Sequence, residues 1–311
     1  MDAGDRTEVV VGFDGSGVAA SAVVWAAAEA ARRGAPLRLV TAAGYPAVAP
    51  QASRDLPWAC TPLSGAVAEV AHSGAALVHA RQPRVPVGVV TATGSAASAL
   101  VEAASTAALV VVGSRGGRRS GAALGSVAAS VSAHSACPVV VVRGAQDAAD
   151  EVRPVVVGVD GSAGAAAALA FAADHAATAG APLEVLAAWR APAGNARDEH
   201  RGAAPSGAPE LAAHRAAQQA VVAALAEVAA THPEVRADGR IVDDSAACAL
   251  SAASRDAGLV VVGSHGAGAT SELLLGSVSR SVLHTAACPV AVVHLGAVRP
   301  TRRPQVAGLR R

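Results

Sequence analysis

Short runs of uninterrupted apolar residues recur along the chain, separated by Ala-rich stretches of helical length. VVVG at Val9, LVVVG at Leu109, VVVG at Val155 and LVVVG at Leu259 have no polar residue alternating through them. A strand with one wet face alternates with period two, whereas a continuously apolar strand is buried on both faces. The first part of the chain predicts strands at Val9–Asp14, Leu37–Ala42, Val85–Thr91, Leu109–Gly113 and Val139–Arg143. The second predicts them at Val155–Asp160, Leu183–Ala188, Val235–Val242, Leu259–Gly263 and Val290–His294. Helices are expected between them, for instance at Val18–Arg33 and Leu211–Thr231. Strand, helix, strand in this rhythm requires right-handed crossovers and a parallel sheet covered on both faces. The Pro-rich passages Tyr45–Pro62 and Ala191–Pro209 follow the second strand of each part and read as surface loops.

The same string of elements is written twice. VVVGFDGS (Val9–Ser16) returns as VVVGVDGS (Val155–Ser162), and RRGAPLRLV (Arg32–Val40) as TAGAPLEVL (Thr178–Leu186). LVVVGSRG (Leu109–Gly116) returns as LVVVGSHG (Leu259–Gly266), and SAHSACPVVVV (Ser132–Val142) as VLHTAACPVAVV (Val282–Val293). Each copy has the length of a whole domain, not of a solenoid unit. The expected domains are residues 1–146 and 147–297, joined through the polar stretch Gly144–Pro154, with 298–311 a disordered basic tail.

Composition narrows the chemistry. Apolar types make up 52% of the 311 residues but aromatic ones only 2%, so Ala and Val build the core and no base-stacking platform exists for single-stranded nucleic acid. A net charge of +1 gives no field aimed at nucleic acid or acidic lipid. All 25 basic residues are Arg. Without Lys there is no Walker A loop, no kinase strand Lys and no Schiff base, so any phosphate must be held by backbone N–H groups, hydroxyls, Arg or a metal. Cys60, Cys137, Cys248 and Cys288 form no C-x-x-C pair, which fits a reducing compartment. The polar, acidic start and the absence of a long unbroken apolar stretch lead to the expectation of a cytoplasmic protein with no membrane partner.

In an open α/β sheet ligands bind beyond the carboxyl ends of the strands, where the strand order reverses. The first strand of each copy ends there in Asp14 or Asp160, followed by Gly-Ser. Such a carboxylate can accept from ribose hydroxyls or a base amine; the alternative is that it caps the next helix. The fourth strand runs into a Gly-rich loop and a helix, GSHGAGATSELLLGS in the second copy. Glycines bring the backbone close around an anion, and a helix starting near Ser277 adds unpaired N–H groups and a positive dipole end. Arg280 in that first turn suits a bound anion better than an empty helix end.

These features together, the V-x-V-D-G-S first strand, the G-x-x-G-x9-G-S loop, the following helix and A-C-P-V-x-V-V, resemble the universal stress protein family over nearly all of residues 8–144 and 154–295. The resemblance implies an α/β fold of two tandem, doubly wound, five-stranded parallel sheets, Rossmann-like and packed as an intramolecular pseudo-dimer, and it leaves a homodimer open. It implies ATP as ligand, often with Mg²⁺ or Mn²⁺, a regulatory or stress-linked role, and at most slow hydrolysis. By that likeness Asp160 contacts the nucleoside, Ala188 lines the adenine pocket, and Gly263, Gly266, Gly276 and Ser277 hold phosphates. Asp14, Ala42, Gly113, Gly116, Gly125 and Ser126 are the matching residues of the first copy.

Each copy departs from the pattern. Between Gly116 and Gly125 lie eight residues, against nine between Gly266 and Gly276, and the shorter loop carries Arg115, Arg118 and Arg119. One residue fewer either pulls the Gly125 amide out of line or is compensated by the arginines, and the second copy is expected to be the better site. Where the first copy has Gly94 the second has Asp244, which could repel phosphate or, with Asp243, ligate a metal. His134 and His284 read as matching structural residues and Cys137 and Cys288 as inert core thiols. No G-x-S-x-G elbow, no G-x-G-x-x-G turn and no H-E-x-x-H occurs, which disfavours a hydrolase, a dinucleotide oxidoreductase and a zinc enzyme. The rival from another class is a scaffold of the same fold that acts through partner binding and has lost its nucleotide; copurified nucleotide distinguishes the two.

Overall fold

The computed structural model describes residues 7–43, 61–116, 124–144, 152–190, 208–266 and 275–295. The first half runs β1 (Val9–Gly12), α1 (Gly17–Arg33), β2 (Leu37–Ala43), α2 (Thr61–Arg81), β3 (Val87–Thr93), α3 (Ala96–Ala103), β4 (Leu109–Gly113), α4 (Ser126–His134) and β5 (Val139–Val142). The second repeats it as β6 (Val155–Gly158), α5 (Ala163–Ala179), β7 (Leu183–Ala188), α6 (Ala208–Thr231), β8 (Ala237–Val242), α7 (Ala246–Ala253), β9 (Leu259–Gly263), α8 (Ser277–Thr285) and β10 (Val290–Val293). The passages between 45 and 60 and between 191 and 207, Arg118, Arg119 and the tail 298–311 lie outside the described residues.

Two boundaries shift for a physical reason. β3 and β8 begin at Val87 and Ala237, two residues later than expected, because Val85 and Val235 are held in turns by N–H donation to the Gln82 and His232 carbonyls. Conversely, Pro62 and Pro209 fall in the first turn of α2 and α6, not in loops. A first-turn residue has no intrahelical partner for its N–H, so proline is tolerated there.

All ten strands join one sheet in the order β3-β2-β1-β4-β5-β10-β9-β6-β7-β8. Within each half every pair is parallel, as expected of buried apolar strands. The two halves meet at an antiparallel seam, with Val139, Val140 and Val141 of β5 opposite Val292, Ala291 and Val290 of β10. β5 and β10 are buried throughout. Each would leave an apolar edge of unpaired N–H and C=O groups if its half stood alone, and the seam removes both edges at once. Helices α1, α2, α5 and α6 cover one face of the sheet and α3, α4, α7 and α8 the other, with a core on each face that runs across the seam.

The helices that cross the middle of the sheet use alanine to lie close to it, for example Ala19, Ala22, Ala26 and Ala30 of α1, all buried. Among them Glu29 is buried completely. Arg32 Nη2 and Arg33 Nε donate to its two carboxylate oxygens at 2.6 Å each, and His175 of α5 lies 3.2 Å away. His175 stacks between Trp25 and Phe171, with ring centroids 5.9 and 6.4 Å apart. The offset that carries Val9 onto Val155 carries Trp25 onto Phe171 and Glu29 onto His175. The two halves therefore touch across a pseudo-two-fold axis at which an acid faces a base.

Candidate functional site

Strand order reverses between β1 and β4 and again between β6 and β9. At each reversal the two flanking loops diverge and leave a crevice above the strand ends. A cavity of about 700 Å³ fills the first crevice and one of about 370 Å³ the second. Asp14, Ala42, Gly113, Gly116, Gly125 and Ser126 all line the first; Asp160, Ala188, Gly263, Gly266, Gly276 and Ser277 all line the second. Residues that are distant in sequence converge because the β1, β2 and β4 ends are neighbours in the sheet.

The turn after β1 is fixed by Asp14, whose Oδ1 accepts from the Ser16 N–H at 3.0 Å; Asp160 and Ser162 repeat the contact at 2.9 Å. Gly15 and Gly161 occupy the left-handed region, with φ of 81° and 78°, which turns the chain from strand into helix. The cap of α1 is Ser16, whose hydroxyl accepts from the Ala19 N–H, and Ser162 does the same for α5. Asp14 and Asp160 are thus not helix caps. Their second carboxylate oxygens face the glycine loops: a Cβ placed on Gly116 or Gly266 would come within 2.7 or 2.5 Å of Asp14 Oδ2 or Asp160 Oδ2. Gly263 is equally constrained, since a Cβ there would lie 2.8 Å from the Gly164 backbone. These glycines keep carboxylate, loop and strand end in one another's reach.

The far end of each loop begins a helix that lacks a side-chain cap. Gly125 precedes α4 and Gly276 precedes α8, neither with a capping hydrogen bond, and neither helix has an acid in its first turn. The early N–H groups of both helices line the cavities through Ser126, Val127 and Ala128, and through Ser277, Val278 and Ser279. An uncapped helix N-terminus in a cavity offers donors and positive potential to an anion. The unequal loop lengths do not separate the two sites in this respect. The Gly125 amide donates to the Ser114 carbonyl at 2.8 Å, and the Gly276 amide to the Ser264 carbonyl at 2.8 Å. The Gly125 amide is thus held as the Gly276 amide is, without the displacement.

The apolar wall was not foreseen. Val40 and Leu100 line the first cavity, Leu186 and Leu250 the second, giving each a greasy end opposite the glycine loop. Leu100 and Leu250 are buried leucines on α3 and α7, and their matching places in the two copies are the one sequence signal that could have found them. Arg115 and His265 also enter the cavities, at the same place in GSRG and GSHG.

Asp243 and Asp244 make local contacts. Asp243 is paired with Arg190, at 2.6 Å from Nε and 2.8 Å from Nη2, and Asp244 accepts from the Ser245 N–H at 2.7 Å. Neither lines the second cavity. Among the described residues no group of three or more His, Cys, Asp or Glu is arranged to hold a metal ion. His134 and His284 are offset by one position: α4 ends on His134 where α8 ends on Thr285. Burial pushes the Cys288 thiol up to about 12, too high for a nucleophile. Among the described residues no helix is long and apolar enough to cross a membrane.

The family model described as the Universal stress protein family matches residues 6–143 and 151–294, one copy per half. A universal stress protein of Mycolicibacterium smegmatis is 32% identical over 299 residues, covering 92% of this chain and 96% of that one. Universal stress protein Rv2623 of Mycobacterium tuberculosis is 33% identical over 300 residues, covering 91% and 95%. The crystal structure of a universal stress protein from Archaeoglobus fulgidus DSM 4304 aligns with a TM-score of 0.67 at 18% identity, over 93% of this chain and 97% of that one.

Proposed function

The chain belongs to the universal stress protein family in both of its halves, and from that premise we propose that it binds ATP at one site per half as a regulatory ligand. One observation carries the reading: the same two-ended cavity occurs twice at the switch points, greasy at one end and rimmed by glycine and helix N–H groups at the other. Ala42 and Ala188 leave room for a purine against Leu100 and Leu250. Asp14 and Asp160, oriented by the serine amides, keep one oxygen directed at the loop for a nucleoside hydroxyl or amine. The Gly125 and Gly276 helix starts receive the phosphates, and a Mg²⁺ or Mn²⁺ would be carried on those phosphates.

Among the described residues the carboxylate lining each cavity is the Asp already held by a serine amide, and turnover should be slow or absent. Calorimetric titration of the native chain with MgATP tests the reading, together with nucleotide extracted after gentle purification. Saturable binding supports it. A chain that carries no nucleotide and binds none overturns it in favour of a scaffold acting through partners.

A further inference from the structure

We propose that the second-half site is proton-coupled: binding of a polyphosphate there takes up a proton on His265, whereas the first-half site, built with Arg115 in the equivalent place, binds without one. The inference rests on the reading that these cavities hold nucleotide, and adds how that binding is regulated.

The two halves place different cations at the same points of the fold. Arg115 lines the first cavity where His265 lines the second. Arg143 follows β5 where His294 follows β10. Arg143 and Arg115 lie close enough for the charge of one to lower the pKa of the other, after burial. Both remain cations at any physiological pH.

Two guanidinium nitrogens of Arg143 are bonded structurally, while its Nε is buried without a partner. The side chain reaches across the seam and donates to the Leu283 and Ala286 carbonyls at 2.5 and 3.2 Å, capping the C-terminal end of α8. The third member of the first group is His284, whose Nδ1 accepts from the Leu124 N–H at 3.4 Å.

The second group is His265, His294 and His134. His265 Nε2 is buried without a hydrogen-bond partner, while His265 Nδ1 lies 3.2 Å from Ser264 Oγ. Burial, with the charges of His265 and His134, outweighs a hydrogen bond to the Ser132 backbone and holds His294 below the usual histidine range. His134 sits at the end of α4 with Nδ1 on the Ser130 carbonyl. The other charged groups on the surrounding elements are Asp160, which lines the same cavity, Arg280 on the first turn of α8, and Asp244 after β8. Asp160 has its counterpart in Asp14, so it does not distinguish the halves.

The second site therefore presents an imidazole able to gain a proton where the first presents a permanent guanidinium cation. An unpartnered buried ring nitrogen is costly as it stands, and an arriving anion supplies the negative potential that makes a proton on it favourable. Binding and protonation are then linked and reciprocal: anion raises the histidine pKa, and acid raises the affinity for anion. If one histidine rises by one unit from its ordinary value, affinity gains about fivefold between pH 7.5 and pH 5.5. The nucleotide's own terminal phosphate loses charge over the same range, but does so for both sites, so the first site is the internal reference.

The full chain is used, with Gly116→Val leaving the second site and Gly266→Val leaving the first, each checked for native circular dichroism. MgATP is titrated calorimetrically at pH 7.5 and 5.5, in two buffers of different ionisation enthalpy so that protons are counted. Expected are a roughly fivefold relative gain for the second site at acid pH, uptake at pH 7.5 of about 0.4 proton more there than at the first, and loss of both in His265→Arg. Equal pH dependence of the two sites, or a His265→Arg chain with the full acid response, overturns the proposal and leaves nucleotide binding standing. Absence of ATP binding at both sites and both pH values overturns the nucleotide reading, and this one with it.

Discussion

Glu29 shows what a single side chain decides here. Burial alone would raise its carboxyl pKa, but the hydrogen bond and charge of His175, with Arg33 and Arg32, outweigh burial and hold it well below the carboxylate range. A carboxyl depressed on folding contributes stability that is full above the unfolded value, near 4.3, and is lost as pH falls below it. Glu29→Gln should therefore cost about 2–4 kcal/mol at pH 7 and much less near pH 3, read from urea midpoints at the two pH values. An equal cost at both would mean that the charge is immaterial. At the cavity, Asp160→Ala removes a charge-assisted bond and should weaken second-site ATP binding by about 1.5–3 kcal/mol with little change in Tm. Gly266→Val should weaken it comparably by driving a side chain against Asp160 Oδ2. Unaltered affinity in both variants would remove these residues from the site.

At the scale of the element, capping separates scaffold helices from ligand-facing ones. α1 and α5 start on serines that satisfy a first-turn amide, whereas α4 and α8 start on glycines and leave theirs to the cavity. Stability and binding should consequently respond to charge with opposite sign. Ser277→Asp places an acid in the first turn of α8, where the helix dipole favours it by about 0.3–1 kcal/mol. The same carboxylate repels phosphate. Thermal unfolding should show an unchanged or raised Tm, and calorimetry at least a tenfold loss of second-site ATP affinity, roughly 1.4 kcal/mol or more. A variant that binds ATP as well as the parent would show that phosphates do not sit at this helix end.

For the whole molecule the seam is decisive. Three residue pairs join β5 to β10, and both cores run across them without a break. The halves should then unfold as one cooperative unit. Val140 is fully buried in the seam, and Val140→Asp would bury an unpaired charge. A loss of more than about 3 kcal/mol, with one calorimetric transition splitting into two, is expected. A single transition at an unaltered Tm would mean that the seam contributes little to the coupling of the halves.

The sequence by itself determined the repeat, the order of elements, the doubly wound halves and the twelve residues that meet in the two cavities. These are legible because apolar runs, turn glycines and strand-end acids act through their immediate neighbours, and strand order places the strand ends together. What the sequence left open depends on contacts between distant segments. VVVV and VAVV announce buried strands but not each other as partners; only the assembled sheet, with two apolar edges left over, brings them together antiparallel. Glu29 and His175 look unrelated until the seam stacks α1 on α5. Loop length misled for the same reason: spacing counts residues, whereas the Ser114 and Ser264 carbonyls fix where Gly125 and Gly276 must lie. Arg115 and His265 differ by one letter in the sequence; only the assembled strand ends place that letter in each cavity.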